Sequence, residues 1–190
     1  MYNVERLGQV FTPQEIVNYM MQLRQNNGSI LEPACGSGVF LNYLKNCTGI
    51  EIDSEICPEG ALNIDFFDYS IENKYDTIIG NPPYVRFQDI IQSTKKKLDL
   101  KYFDERSNLY LFFIEKSLRH LNDRGEIIFI TPRDFLKATS AIKLNNLLYQ
   151  NGTITDIIEL GDQRVFNGYN PNTIIWRYEK NNFSRKAISI

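Results

Sequence analysis

Asp76-Thr77-Ile78-Ile79-Gly80 is an apolar run that stops abruptly in the polar, proline-rich turn Asn81-Pro82-Pro83-Tyr84. A short apolar run bounded in this way reads as a strand buried on both faces, as in a parallel sheet. Pro82 and Pro83 fix φ and hold the residue before each out of the helical region, so the strand ends in a stiff turn. In an open α/β sheet the carboxyl ends of the strands border the ligand crevice. A stiff turn there can aim the Asn81 amide and the Pro82 carbonyl at one amino group and hold the Tyr84 ring against a flat one. Read alone, the same residues are also a proline-rich loop with an aromatic plug. The flanking sequence decides between them.

Outward from this turn, apolar runs alternate with helix-length amphipathic stretches, the pattern of a doubly wound sheet. Thr12-Pro13, followed by Glu15, predicts a capped helix to about residue 25. Strands are expected at 30–31, 48–52, 61–64, 77–79, 127–131, 154–160 and 173–178. Helices are expected at 39–45, 108–121 and 138–149. Residues 88–107, with Lys95-Lys96-Lys97, read as a mobile loop or short helix. The expectation is an α/β, Rossmann-like seven-stranded sheet, mostly parallel, with helices on both faces. Residues 1–180 form one domain, and 181–190 read as an exit segment.

A chain of 190 residues is one domain of ordinary size with room for a substantial core. No apolar run reaches the length of a membrane span, and the first residues lack the basic and apolar regions of a signal peptide. Cys35, Cys47 and Cys57 are odd in number and form no CxxC pair, and His120 is the only histidine. A disulfide framework or a metal site is therefore not expected, and a reducing, cytoplasmic compartment fits. The net charge of −2 hides an asymmetry: residues 51–76 carry eight acids against Lys74 alone, −7, which leaves +5 elsewhere. A positively charged ligand could favour the acidic half and a phosphate backbone the basic remainder, although from charge alone a solvated acidic face is the preferred reading.

Leu31-Glu32-Pro33-Ala34-Cys35-Gly36-Ser37-Gly38 follows the first strand, and its glycines let backbone approach a ligand. The spacing is not GxGxxG, so a dinucleotide pyrophosphate site is a poor match. Gly49-Ile50-Glu51-Ile52-Asp53 ends the next strand with a carboxylate suited to two ribose hydroxyls, and Ile52 could lie against an adenine. Asp65-Phe66 ends the third strand, where Asp65 could accept from an adenine amino group. Each carboxylate alone reads as a surface charge. Their recurrence at successive strand ends favours a nucleoside site.

These four motifs, in this order, resemble the S-adenosylmethionine-dependent N6-adenine DNA methyltransferases, in the gamma arrangement that places Gly8-Gln9-Val10-Phe11-Thr12-Pro13 before the glycine motif. Asn108-Leu109-Tyr110 with Phe113-Ile114-Glu115-Lys116 is similar to the family's helix after the NPPY turn, and Leu160-Gly161 to Val165-Phe166-Asn167 to its late aromatic motif. The likeness to the catalytic domain of the Taq-type adenine methyltransferases covers nearly the whole chain. It implies S-adenosylmethionine as cofactor, with Thr12, Glu32, Ala34, Gly36 and Gly38 around its methionine moiety. Glu51 would take the ribose, Ile52 and Phe113 would sandwich the cofactor adenine, and Asp65 with the Phe66 backbone would read its edge. Asn81, Pro82 and Tyr84 would hold the substrate base, with Phe166 at its edge or opposite side.

The N6 lone pair of adenine is delocalised into the ring, so the amine is a poor nucleophile. Acceptors at Asn81 and Pro82 would stabilise the positive charge that develops on it. Tyr84 would stack on the base, so Tyr84→Phe is expected to be mild. A target inside a duplex must first be flipped out. DNA is the expected partner, together with a target-recognition domain or subunit outside this chain. RNA adenine and protein glutamine methyltransferases share the NPPY turn. A non-catalytic subunit is the reading from a different class, although Glu51 and Asn81 are both retained here.

Overall fold

The computed structural model describes residues 12–160 and 172–189. Among these, the strands β1 (Ile30–Glu32), β2 (Cys47–Glu51), β3 (Leu62–Asn63), β4 (Tyr75–Gly80), β5 (Leu121–Pro132), β6 (Gly152–Glu159), β7 (Thr173–Lys180) and β8 (Ile188–Ser189) form one sheet in the order β3-β2-β1-β4-β5-β7-β6-β8. Neighbours from β3 to β5 pair in parallel, and β7 runs antiparallel between β5 and β6. The strand order reverses at β1 and β4, so their carboxyl ends open the crevice expected of a doubly wound sheet.

The apolar runs make the sheet because they can be buried on both faces. Ile78 and Ile79 in β4, and Ile127 through Ile130 in β5, are completely buried. Helices supply the cover. The helix α1 (Gln14–Leu23) buries Ile16, Val17 and Met20 at helical spacing and packs on β5. The short α2 (Gln92–Lys95) lies between the β4 turn and α3 (Leu109–His120), and α3 is buried almost all round. The last helix, α4 (Ile142–Asn151), packs on β6 and beside α3. No helix among the described residues is long and apolar enough to cross a membrane.

A buried ion pair ties the start of this fold to its end. Glu126 in β5 meets Arg177 in β7 at 2.6 Å, with the side chains 0% and 3% exposed. The same carboxylate accepts from Gln25 N, Asn26 N and the Thr77 hydroxyl at 2.9–3.2 Å. Buried charge is tolerated where pairing and hydrogen bonds compensate for lost water, as they do here. The helix α1 stops at Leu23, short of residue 25. Arg24 turns back to Met21 O as the C-cap, and the donors of Gln25 and Asn26 are then taken by this carboxylate a hundred residues away.

Three further expectations change. Pro13 is the N-cap residue of α1, and its carbonyl accepts from Ile16 N and Val17 N, without a side-chain cap. The Thr12 hydroxyl that was expected there instead receives the Asn81 amide. Residues 39–45 form successive turns, with only Asn42 N→Gly38 O and Leu44 N→Phe40 O in helical register. Those two bonds do not propagate into a helix. The tail, expected to leave the domain, returns as β8 and pairs in parallel with β6, adding an eighth strand.

Candidate active site

Where β1 ends, the chain turns at Glu32-Pro33-Ala34-Cys35-Gly36. Gly36 and Gly38 take φ of 54° and 83°, a region that side chains strongly disfavour. A Cβ on Gly36 would meet nothing within 4 Å, so the backbone faces open space, whereas one on Gly38 would press on Pro58. That space is a cavity of about 130 Å³, bordered by Thr12, Glu32, Ala34, Gly36, Phe40 and Asn81 among others. Five expected site residues therefore meet at one opening.

Glu51 is buried at the end of β2 and stitches the glycine turn to it. Its carboxylate accepts Gly36 N at 2.8 Å and Asp53 N at 2.9 Å, while its own carbonyl accepts the Asn63 amide. Burial pushes the Glu51 pKa up. Burial, and then the charge of Glu51, push that of Glu32 well above the usual carboxylate value. Two buried acids at one rim lack a compensating cation among the described residues around them. Glu32 Oε2 has no hydrogen-bond partner there.

Farther along the sheet edge, Asp65 caps the short turn Phe66–Asp68 by accepting Phe67 N at 2.9 Å. Its other oxygen receives the Thr94 hydroxyl at 2.7 Å and the Lys97 ammonium at 3.0 Å. The Phe113 ring, on α3, packs 5.0 Å from Phe66 and 5.2 Å from Phe67, and Ile52 is exposed just beyond β2. Gly38, Glu51, Ile52, Asp65, Phe66 and Phe113 thus lie outside the cavity lining, along the same edge of the sheet. Thr94 and Lys97 were hidden in a segment that reads as a solvated lysine loop, and Cys35 and Phe40 carried no signal beyond their place after a glycine turn.

The NPPY turn closes the other side. Asn81 Nδ2 donates to Thr12 Oγ1 at 3.3 Å, which orients the amide between the first helix and β4. Pro82 is buried, and Tyr84 is only 9% exposed. The Tyr84 hydroxyl donates to Ile130 O of β5 at 2.8 Å, and its ring meets Tyr110 edge-on at 5.9 Å. Leu109 N bonds Val85 O, so the turn is docked on the start of α3. Phe166 and residues 8–11 lie outside the described residues.

Similarity to known proteins follows the same motifs. The model of the N-6 DNA Methylase family matches residues 2–49, and that of the Eco57I restriction-modification methylase family matches residues 40–166, more than half of the chain. The Type II methyltransferase M.HincII of Haemophilus influenzae is 38% identical over 187 residues, covering 92% of this chain and 37% of the relative. M.TthHB8I of Thermus thermophilus is 31% identical, covering 92% of this chain and 45% of the relative. The chain therefore spans less than half the length of these curated relatives. Among solved structures, a type I restriction-modification methyltransferase subunit from Streptococcus thermophilus superposes with a TM-score of 0.77 at 19% identity, over 97% of this chain and 47% of its own. A class I S-adenosylmethionine-dependent methyltransferase fold from Listeria monocytogenes gives 0.74 at 20% identity, over 94% and 63%. These two share the fold. By the family match that runs through the NPPY turn and α3, the chain belongs to the Eco57I restriction-modification methylases, whose methyl donor is S-adenosylmethionine.

Proposed function

We propose that this chain is the catalytic part of a DNA methyltransferase that modifies N6 of a flipped adenine. One observation carries the reading: the cavity before the glycine turn is bordered jointly by buried Glu32 and by Asn81 of the NPPY turn. A cofactor held by the first would face a base held by the second. The residues present fit S-adenosylmethionine. Unpartnered Glu32 Oε2, with its raised pKa, suits a ligand that carries positive charge on sulfur and nitrogen. Thr12, Ala34, Gly36 and Gly38 would border its methionine moiety, and Glu51 would accept its ribose hydroxyls. Ile52, Asp65, Phe66 and Phe113 would meet its adenine. When bound, the cofactor supplies a methyl group activated by positively charged sulfur.

The rest is the work of the chain. Asn81 and the Pro82 carbonyl accept the N–H groups of the target amine and stabilise the charge that develops there. Thr12 and the stiff turn hold those acceptors still, so little reorganisation accompanies the reaction. Tyr84 supports the base by stacking, and its π face favours the cationic product. Phe166 would complete the base site. No strong base is needed, because the methylated ammonium is acidic.

Sequence reading is assigned to a recognition domain or subunit outside these residues. The short span relative to M.HincII supports that division. The unpaired thiols of Cys35, Cys47 and Cys57, together with bacterial relatives, favour a bacterial cytoplasm. The test offers labelled-methyl cofactor together with DNA, RNA and protein. Label in DNA supports the reading. Label confined to RNA or to protein glutamine overturns it.

A further inference from the structure

The segment after the NPPY turn reads in sequence as a mobile loop or short helix around a lysine run; it holds the short helix α2, and part of it is built into the sheet edge. Thr94 is 4% exposed, and its hydroxyl donates to Asp65 Oδ2 at 2.7 Å. Lys97 donates to that same oxygen at 3.0 Å and to Asp68 at 2.5 Å. Asp65 Oδ1 accepts Phe67 N at 2.9 Å. An ionised carboxylate offers about four lone-pair sites, and three donors already point at this one. The remaining site lies on Oδ1, beside Phe66. Behind it, the buried Lys116 donates to Tyr69 O at 2.8 Å and sits 5.0 Å from the Phe66 ring, so the floor of this corner is also fixed.

A carboxylate held with one acceptor site left receives a single N–H and repels a carbonyl oxygen. We propose that Thr94 and Lys97 are positioning residues that hold Asp65 as a one-site reader of the exocyclic amine on the cofactor's purine. The inference rests on the cofactor reading above and deepens it. It also gives the post-NPPY segment a task at the cofactor end of the site, so this segment joins the two ends of the crevice. Lys97 and Thr94 together occupy Oδ2, and Thr94 fixes the rotation of the carboxylate.

The test measures binding of S-adenosylhomocysteine and its 6-oxo counterpart, S-inosylhomocysteine, by calorimetry to the full chain. A charge-assisted hydrogen bond lost or replaced by repulsion corresponds to roughly a tenfold preference or more for the amino probe in the wild type. In Thr94→Val and Lys97→Met the preference collapses toward unity, because the amino probe weakens while the 6-oxo probe holds its affinity. Lys97→Arg restores the preference. Equal weakening of both probes, with the preference intact, shows a merely structural role and overturns the proposal. A wild-type chain that binds both probes equally overturns the assignment of Asp65 itself. Failure of the wild type to bind either probe overturns the cofactor reading on which the proposal stands. Lys97 has a side chain 28% exposed, so its methionine variant tests binding in a folded chain.

Discussion

Tyr84→Phe keeps the ring of the NPPY turn and removes one hydroxyl, and the structure changes what that deletion should do. By sequence alone the substitution is mild, since stacking survives. In the fold, the hydroxyl tethers the ring to Ile130 O at 2.8 Å, inside β5, where Ile130 is fully buried. A buried neutral hydrogen bond contributes about 0.5–1.5 kcal/mol net, with a further penalty when its acceptor is left unmade. The expected loss is about 1 kcal/mol of stability, or roughly 2–4 °C in Tm for a chain of this size. The tether also aims the ring, so turnover should fall by up to about tenfold, equivalent to 1.4 kcal/mol in the barrier. Cofactor affinity should stay constant, because Tyr84 does not border the glycine-turn cavity. Thermal melts, calorimetry with the cofactor product and labelled-methyl kinetics on one preparation separate these effects. Wild-type stability together with wild-type turnover refutes the tether. An equal fall in cofactor affinity and rate would instead assign Tyr84 to the fold as a whole.

Glu32→Gln should act in two directions. Ionised Glu32 destabilises the folded state because burial, and then Glu51, raise its pKa above the ordinary 4.5. That penalty is absent below the ordinary value and grows as pH rises through the raised one, so the variant should melt higher at neutral pH and match wild type in acid. Its affinity for the cofactor should fall. A variant melting no higher at neutral pH, or binding more tightly, contradicts this role. Glu51→Ala should weaken cofactor binding roughly 10- to 100-fold, from the loss of charge-assisted acceptors, with unchanged affinity in calorimetry as the contrary result. Arg177→Met leaves Glu126 buried without its cation and should cost about 3–5 kcal/mol in urea unfolding; a loss below 1 kcal/mol would show that the backbone and Thr77 donors suffice.

The motifs that were legible in sequence are those whose residues act through local geometry. Pro82-Pro83 stiffens its own turn, Gly36 and Gly38 bend theirs, and β4 announces itself by Ile78-Ile79 running straight into that turn. What stayed hidden depends on distance along the chain. Glu126 meets Arg177 fifty-one residues away, and the same carboxylate holds the backbone of Gln25 and Asn26 just past the end of α1. Thr12 looks like a helix cap, but Pro13 takes that position, and the Thr12 hydroxyl, one residue outside the helix, receives the Asn81 amide. Lys97 sits in a lysine run that resembles solvated surface, and only the docking of α2 against the sheet edge shows that one member faces Asp65 and Asp68. Residues 39–45 carry helical apolar spacing but four weak helix formers, Val39, Phe40, Asn42 and Tyr43, and the turn at Gly38 and the approach to β2 leave too short a span to sustain a helix.

The central claim is methyl transfer to N6 of adenine at the Asn81 turn. The most direct measurement incubates the chain and its Asn81→Ala variant with labelled-methyl cofactor and DNA, digests the DNA to nucleosides and identifies the labelled one by mass spectrometry. The account predicts label in N6-methyldeoxyadenosine from the wild type, weak without a recognition partner, and its loss in the variant while cofactor binding persists. Label in a methylated cytosine, or N6-methyldeoxyadenosine formed at the same rate by Asn81→Ala, contradicts it.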